Sequence, residues 1–288
     1  MTNNELRDSY KHIDLHMHTT ASDGMESPEL IVQKAVKEKI AAIAITDHDT
    51  VAGINKALEV AENQNIELIQ GAEFSAGFNP VMHIIGLFID INNEFLLNEL
   101  NRLNKMRMRL ITKSFKMIAC RGIEISPQQV LNEKKAITIV NLKQFLEDNN
   151  LLNDEIERLL REILDEWKNC LPTPESCISM IHSSGGIAIL AHPKLLHRDD
   201  DELISVIKNL KQIGLDGVEV IHPSHTLDDT IKYMQWAKKF NLLCSGGSDY
   251  HSKFDHYSPM KTCEHDIPYT FLEKMKRKIE ENKNANKS

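Results

Sequence analysis

Seven short apolar, β-rich runs recur along the chain, at 12–16, 40–46, 66–72, 83–88, 186–191, 215–221 and 242–246. Helical patterns fill most of the gaps. Strands alternating with helices indicate parallel βαβ units, and seven of them imply a closed or nearly closed α/β barrel. Ser27-Pro28-Glu29 reads as an N-cap followed by Pro at the first helical position. Further helices fit 51–63, 202–213 and 227–239. One step breaks the alternation. Only nine residues, Gly77 and Pro80 among them, separate Glu73 from His83, too few for a crossover helix. A hairpin is expected there, with His83 beside Glu73.

Residues 93–172 have a different character. Leu96, Leu97, Leu100, Leu103, Met106 and Leu110 recur at helical spacing, and Gly122 is a helix stop. Ser126-Pro127-Gln128-Gln129 reads as a capping box that opens another helix. The expected organisation is therefore a barrel from 1–92 and 173–288, interrupted by an all-helical insertion over 93–172 that could act as a lid. Its charge is uneven. Within 101–143, ten Lys/Arg face only Glu124 and Glu133, a net +8, whereas 147–166 carries eight Asp/Glu against Arg158 and Arg161, a net −6. Two readings stand: a solvated helix face, or a basic lid that meets an anionic substrate. The phenylalanines Phe95, Phe115 and Phe145 and Trp167 are the insertion's aromatics, few for a nucleic-acid groove.

The rest of the composition excludes several classes. The N-terminus lacks an apolar signal-peptide core, and no apolar stretch approaches the length of a membrane span. Five cysteines without a CxxC pair read as reduced thiols in a cytoplasmic protein. A formal charge of −8 argues against wrapping by a long nucleic acid. No obligate protein partner is implied.

Chemistry concentrates at the run boundaries. His16, His18, Asp23, His48, Glu73, His83, His192, Asp249 and His251 each lie where an apolar run begins or ends. Side chains at the carboxyl ends of barrel strands converge on one mouth. Imidazoles mixed with carboxylates suit Zn, Mn or Fe, with Mg also admissible, and nine donors exceed the needs of one ion. Taken singly, Asp23 is an ordinary turn residue and His-x-His is weak. Together they point to a multinuclear site of two or three divalent ions. Asp47 and Asp49, flanking His48, are placed to accept an imidazole N–H. His222, His225, Ser224, Lys194, His197 and Arg198 follow strand ends and are candidates for binding substrate or protonating a leaving group.

The set HIDLHMHT…SDG, AITDHDT, GAE, His83, AHP and GGSDYH resembles the PHP family, named for polymerase and histidinol phosphatase. The resemblance runs through 12–90 and 186–252. It implies a distorted (β/α)7 barrel with two or three divalent metals. It also implies ligand sets: His16, His18, Glu73 and Asp249 for one ion; a bridging Glu73 with His83 and His192 for a second; Asp23, His48 and His251 for a third. The stretch Gly217-Val218-Glu219-Val220…His222-Pro223-Ser224-His225 and the helical insertion are similar to the branch of 3′,5′-nucleoside bisphosphate phosphatases and 5′–3′ exoribonucleases. That branch carries lid arginines, which Arg107 and Arg109 would supply. Its Arg-Pro-His stretch before a later lid helix is replaced here by Thr138-Ile139-Val140-Asn141.

The expected activity is hydrolysis of a phosphomonoester on a small nucleotide-like metabolite, with metal-activated water as nucleophile. The alternatives are an exonuclease on short RNA or DNA ends, a histidinol-phosphate-type phosphatase, or a metal-stabilised binding scaffold without turnover. Nine donors speak against the scaffold, because a structural site closes with four.

Overall fold

A computed structural model describes residues 12–64, 66–134, 137–252 and 266–285. Lys135 and Cys263 lie outside them. All seven apolar runs form strands: β1 (Ile13–Asp14), β2 (Ala42–Ile45), β3 (Glu67–Ala76), β4 (Met82–Leu87), β5 (Ile187–Leu190), β6 (Gly217–Ile221) and β7 (Leu243–Gly246). They form one sheet in sequential order. Backbone bonds from Leu15 N–H to Gly246 O (3.1 Å) and from His18 N–H to Tyr250 O (2.9 Å) bring its two edges together, so the barrel is nearly closed.

The expected hairpin joins β3 to β4, with Ser75 opposite His83 and Glu73 opposite Ile85. His83 is thus a diagonal neighbour of Glu73, on the same face. β4 consequently runs antiparallel to β5 as well, whereas the other neighbouring pairs are parallel. The wall is continuous apolar packing. Ile43, Ile45, Phe74, Ile84, Ile85, Ile189 and Val218 are fully buried, as strands covered on both faces require.

The helices on the barrel begin where cap chemistry permits. α1 (Pro28–Lys37) starts with Ser27 accepting the Leu30 N–H, and α2 (Ile54–Ala61) follows β2. Between β4 and β5 come α3 (Glu94–Ala119), α4 (Pro127–Lys134), α5 (Ile139–Asp148), α6 (Asp154–Cys170) and α7 (Pro174–Ser183). Ser126 and Gln129 exchange the two bonds of a capping box at the start of α4. Gly122, at φ 79°, takes the left-handed conformation that ends α3. α8 (Asp200–Gln212), α9 (Leu227–Lys239) and α10 (Thr270–Ala285) complete the shell.

Among the described residues, two apolar clusters result. One surrounds the barrel; the other joins Leu110, Ile111 and Ile118 of α3 to Leu142, Leu146, Leu159 and Ile163. α3 serves both, because Leu96 and Leu100 at its start pack with the barrel. The second cluster takes in Phe145 and has Phe115 against it, so those rings are packing groups. Among the described residues, no helix is long and apolar enough to cross a membrane.

Candidate metal centre

Glu73 is fully buried at the centre of the mouth, and its two oxygens face different imidazoles. Oε2 lies 3.3 Å from His16 Nε2, 3.3 Å from His18 Nε2 and 3.0 Å from His48 Nδ1. Oε1 lies 3.2 Å from His83 Nδ1 and 3.0 Å from His192 Nε2. Asp249 Oδ1 adds contacts of 3.3 Å to His16 Nε2 and 3.1 Å to His18 Nε2. Farther out, Asp23 lies 3.4 Å from His251 Nε2, 3.7 Å from His48 Nε2 and 3.7 Å from His18 Nδ1. His18 and His48 therefore each face two donor sets, one through each ring nitrogen.

β1 ends at Asp14, so strict alternation of faces no longer holds beyond it. His16 and His18 can therefore both turn inward, and both are fully buried. His192, Asp49 and Asp249 adopt positive φ (25°, 51° and 51°), a cost of order 1–3 kcal/mol at a residue other than glycine. Such backbone concentrates where side chains must be aimed.

This donor set fits divalent ions. His16 Nε2, both ring nitrogens of His18, His48 Nδ1 and Glu73 Oε2 are buried without a hydrogen-bond partner, an expensive state for polar atoms. They crowd together all the same. Separations of 3.0–3.3 Å around Glu73 Oε2 approach the roughly 3.3 Å edge of a tetrahedron with donors about 2.0–2.1 Å from its centre. The groups His16–His18–Glu73–Asp249, His48–Glu73–His83 and His18–Asp23–His48–His251 each place their ligand atoms within 4.8 Å of one another.

The protons agree. Burial opposes the charge on Glu73, yet His83, His48 and His16 hold its carboxyl well below the usual range; Asp249 is depressed in the same way by His16 and His18. Burial also opposes a charged His18, but Asp249 and Glu73 outweigh it and raise the ring to about 10. His48 is pushed down to about 3 by burial, which outweighs the attraction of Glu73, with the neighbouring His18 and His83 lowering it further. The ionised carboxylates are thus offset by the imidazoles that surround them.

A sequence profile described as PHP domain matches residues 14–178, a span that contains His16, His18, Asp23, His48, Glu73 and His83. The chain belongs to the PHP domain family. It is 32% identical over 250 residues to the 5′-3′ exoribonuclease Rnm of Escherichia coli, covering 83% of this chain and 84% of that protein. It is 28% identical over 252 residues to a phosphoribosyl 1,2-cyclic phosphate 1,2-diphosphodiesterase of Eggerthella lenta, covering 84% and 94%. It is 27% identical over 249 residues to a 3′,5′-nucleoside bisphosphate phosphatase of Chromobacterium violaceum, covering 83% and 87%. All three activities break phosphoric ester bonds. An amidohydrolase structure from Chromobacterium violaceum, with bound sulfate and no metal, superimposes with a TM-score of 0.71 at 25% identity over 85% of this chain and 89% of that one.

Around the PHP centre, several expected roles change. Asp47 meets no imidazole. Its carboxylate accepts the Thr19 N–H (2.8 Å), the Thr19 hydroxyl (2.8 Å) and the Ser22 hydroxyl (2.6 Å), and so ties down the loop that carries Asp23. Asp49 likewise accepts the Ser75 N–H and hydroxyl, both at 2.9 Å, and pairs with Arg107. Beyond β2 these two carboxylates, on either side of His48, reach backbone N–H and hydroxyl donors in place of its ring.

The buried acceptor for an imidazole is Glu219, which sequence reasoning quoted in the motif without giving it a role. Glu219 Oε1 sits 3.1 Å from His16 Nδ1. A charged residue inside the apolar run Gly217–Ile221 was the available signal, since a carboxylate in a core strand needs a partner. Asp14 was also missed. Burial lifts its carboxyl to about 6, although it accepts the Ser248 N–H at 2.9 Å.

The basic insertion divides. Arg107 reaches the mouth, bonding to Asp49 and to His48 O (3.4 Å), with its guanidinium 5.2 Å from the Trp167 ring centre. Arg109 is exposed, two residues and roughly 200° farther round α3. Lys113, Arg121 and Lys143 pair with Glu166, Glu155 and Glu157. Part of the basic run thus faces the acidic run on α6: Lys113 from α3, Arg121 from just past its end, and Lys143 from α5. Thr138, where the branch differs, caps α5 by accepting the Asn141 N–H at 3.0 Å.

The residues after β5 also settle on protein partners. Lys194 pairs with Asp229, and Arg198 with Asn79 O and Glu202, while His197 is exposed at a left-handed turn. Ser224 donates its N–H to His222 Nδ1 (3.0 Å), and His222 Nε2 lies 3.3 Å from Asp249 Oδ2. His225 Nδ1 bonds to Val220 O at 3.1 Å, leaving Nε2 buried without a partner.

Proposed function

We propose that this PHP protein is a metal-dependent phosphoesterase that hydrolyses a phosphomonoester on a small nucleotide-like metabolite, such as a 3′,5′-nucleoside bisphosphate. The observation that carries the reading is Glu73, whose two oxygens each face a separate group of imidazoles at 3.0–3.3 Å. His16, His18, Glu73 and Asp249 would hold one divalent ion, Glu73, His83 and His192 a second, and Asp23, His48 and His251 a third. Mn, Zn or Fe suits these donors, with Mg also admissible. When bound, such ions lower the pKa of water and polarise phosphoryl oxygens.

The chain's own groups supply the rest. Arg107 sits at the rim and offers a planar fork to a second phosphate. The leaving oxygen needs a proton, and the tautomers separate the two candidates. A backbone N–H only donates, so His222 Nδ1 is the acceptor from Ser224, and a neutral His222 carries its proton on Nε2, toward Asp249. A carbonyl only accepts, so His225 carries its proton on Nδ1, toward Val220 O, and turns a lone pair outward from Nε2. His222 is therefore proposed to hydrogen-bond the leaving oxygen through its Nε2–H, the proton itself coming from water, and His225 supports it. With Lys194 and Arg198 engaged elsewhere, they, His197 and Ser224 serve the rim more than the chemistry.

The similarity to the exoribonuclease favours a second reading, removal of nucleotides from the end of a short RNA. One experiment separates them. The Mn²⁺-loaded protein is offered a 3′,5′-nucleoside bisphosphate, a ribose cyclic phosphate, a short 5′-phosphorylated oligoribonucleotide and a circular single-stranded DNA. Phosphate release from the bisphosphate is expected, with the circle intact. Mononucleotides from the oligoribonucleotide alone would favour the second reading, and cleavage of the circle would contradict both.

A further inference from the structure

Glu219 occupies the middle of β6, fully buried between the equally buried Val218 and Val220. A carboxylate there is tolerated only if its oxygens find donors. It finds two, and each belongs to a residue at the mouth. Oε1 takes His16 Nδ1 at 3.1 Å, and Oε2 takes the backbone N–H of His192 at 2.8 Å. His192 has φ 25°, a conformation that a residue with a side chain rarely adopts, so this bond braces a strained turn.

The two braced residues point the same way. His16 turns Nε2 toward Glu73 Oε2 and Asp249 Oδ1, at 3.3 Å each. His192 turns Nε2 toward Glu73 Oε1 at 3.0 Å. One carboxylate thus stands behind imidazoles on both sides of Glu73. An ionised carboxylate accepts and never donates, so it selects the His16 tautomer with the proton on Nδ1. That leaves the Nε2 lone pair for a ligand.

We propose that Glu219 is a positioning residue for two neighbouring ion sites, orienting His16 through its side chain and His192 through its backbone. The proposal rests on the metal-centre reading above. Carboxylates behind ligating histidines fix ring orientation and raise basicity, and their loss weakens metal affinity by about 10- to 100-fold. A purely structural Glu219 would affect folding stability and leave affinity unchanged.

Glu219→Gln separates the two. Glutamine keeps the size of the side chain but has one accepting oxygen for two donors, and its amide N–H₂ would oppose the other. Affinity for Zn²⁺ or Mn²⁺ is measured by chelator competition, alongside far-UV circular dichroism. The expected result is unchanged secondary structure with affinity about 10- to 100-fold lower. Affinity unchanged within about twofold would overturn the proposal. A measurement on the protein with Glu219 intact stands beside it, in case the Glu219 variant does not fold. In the wild-type protein saturated with Zn²⁺, ¹⁵N-histidine spectra, assigned with His16→Asn, should show the His16 proton on Nδ1. A proton on Nε2 would also overturn the proposal. Wild-type protein that binds neither ion would instead overturn the metal-centre reading, and this inference with it.

Discussion

His48 and Glu73 pair through their backbones beyond the end of β2. A single parallel bridge joins them, with the Asp49 N–H on Glu73 O at 2.9 Å and the Glu73 N–H on Asp47 O at 3.2 Å. The extended ladder sets His48 Nδ1 3.0 Å from Glu73 Oε2. The central carboxylate is therefore held by sheet geometry, and loop conformation has little say in its position.

Glu73→Gln tests that centrality. Glutamine keeps the shape and one accepting oxygen but removes the charge that faces five imidazoles. Bound metal should fall by at least one ion per chain, and kcat/KM should drop by about 100-fold or more, the upper end for groups that support a metal site. Metal analysis after dialysis and steady-state kinetics read the two together; full retention of both would show that Glu73 does not bridge.

Arg107 and Arg109 should behave differently despite their nearness in sequence. Arg107→Ala should lower kcat/KM on a bisphosphate by about tenfold or more, the loss of one charge-assisted bond of about 1.5–3 kcal/mol, with a smaller effect on p-nitrophenyl phosphate. Arg109→Ala should change neither by more than about twofold, as for an exposed residue without a partner. Equal losses for both variants would place the helix in another orientation over the mouth.

His222→Asn should lower kcat by about tenfold or more, the loss of one charge-assisted hydrogen bond of about 1.5–3 kcal/mol, with metal content retained. His225 should matter more for folding. Burial holds its ring neutral, down to about 4 from an ordinary 6.5. Between those values the unfolded chain binds a proton that the folded one resists. The stability tied to the neutral ring is thus present above about 6.5 and lost as the pH falls toward 4. Urea unfolding of the metal-free proteins at pH 7 and pH 5 should show a smaller acid loss in His225→Gln than in wild type.

Gly247→Ala should disturb the centre from behind. A Cβ at this position would stand 2.1 Å from His16 Cβ and 2.6 Å from His16 N, so the backbone at His16, just past β1, would have to move. Overpacking of this kind costs about 1–3 kcal/mol, and the displaced His16 should also weaken Zn²⁺ binding. Thermal melting and chelator competition measure the two effects. Unchanged affinity in a destabilised variant would mean that the backbone at His16 yields without carrying its ring.

The sequence by itself determined the strand count, the hairpin between Glu73 and His83, the helical character of the insertion, and which nine side chains sit at run boundaries. These are local properties. Periodicity, cap residues and a nine-residue gap decide them within a few turns of chain. Only the tertiary structure decided who meets whom. Glu219 and His16 stand 203 positions apart and become neighbours because the barrel closes. Asp47 and Asp49 flank His48 yet turn to Thr19 and Ser75, since the path beyond β2 aims them at the N–H and hydroxyl of each. The basic and acidic runs of the insertion look like separate surfaces in the sequence. Docking α6 against α3 and α5 pairs its Glu155, Glu157 and Glu166 with Arg121, Lys143 and Lys113, while Arg107 reaches the mouth. Partner choice depends on how rigid elements dock, and residue type along a single chain does not encode that arrangement locally.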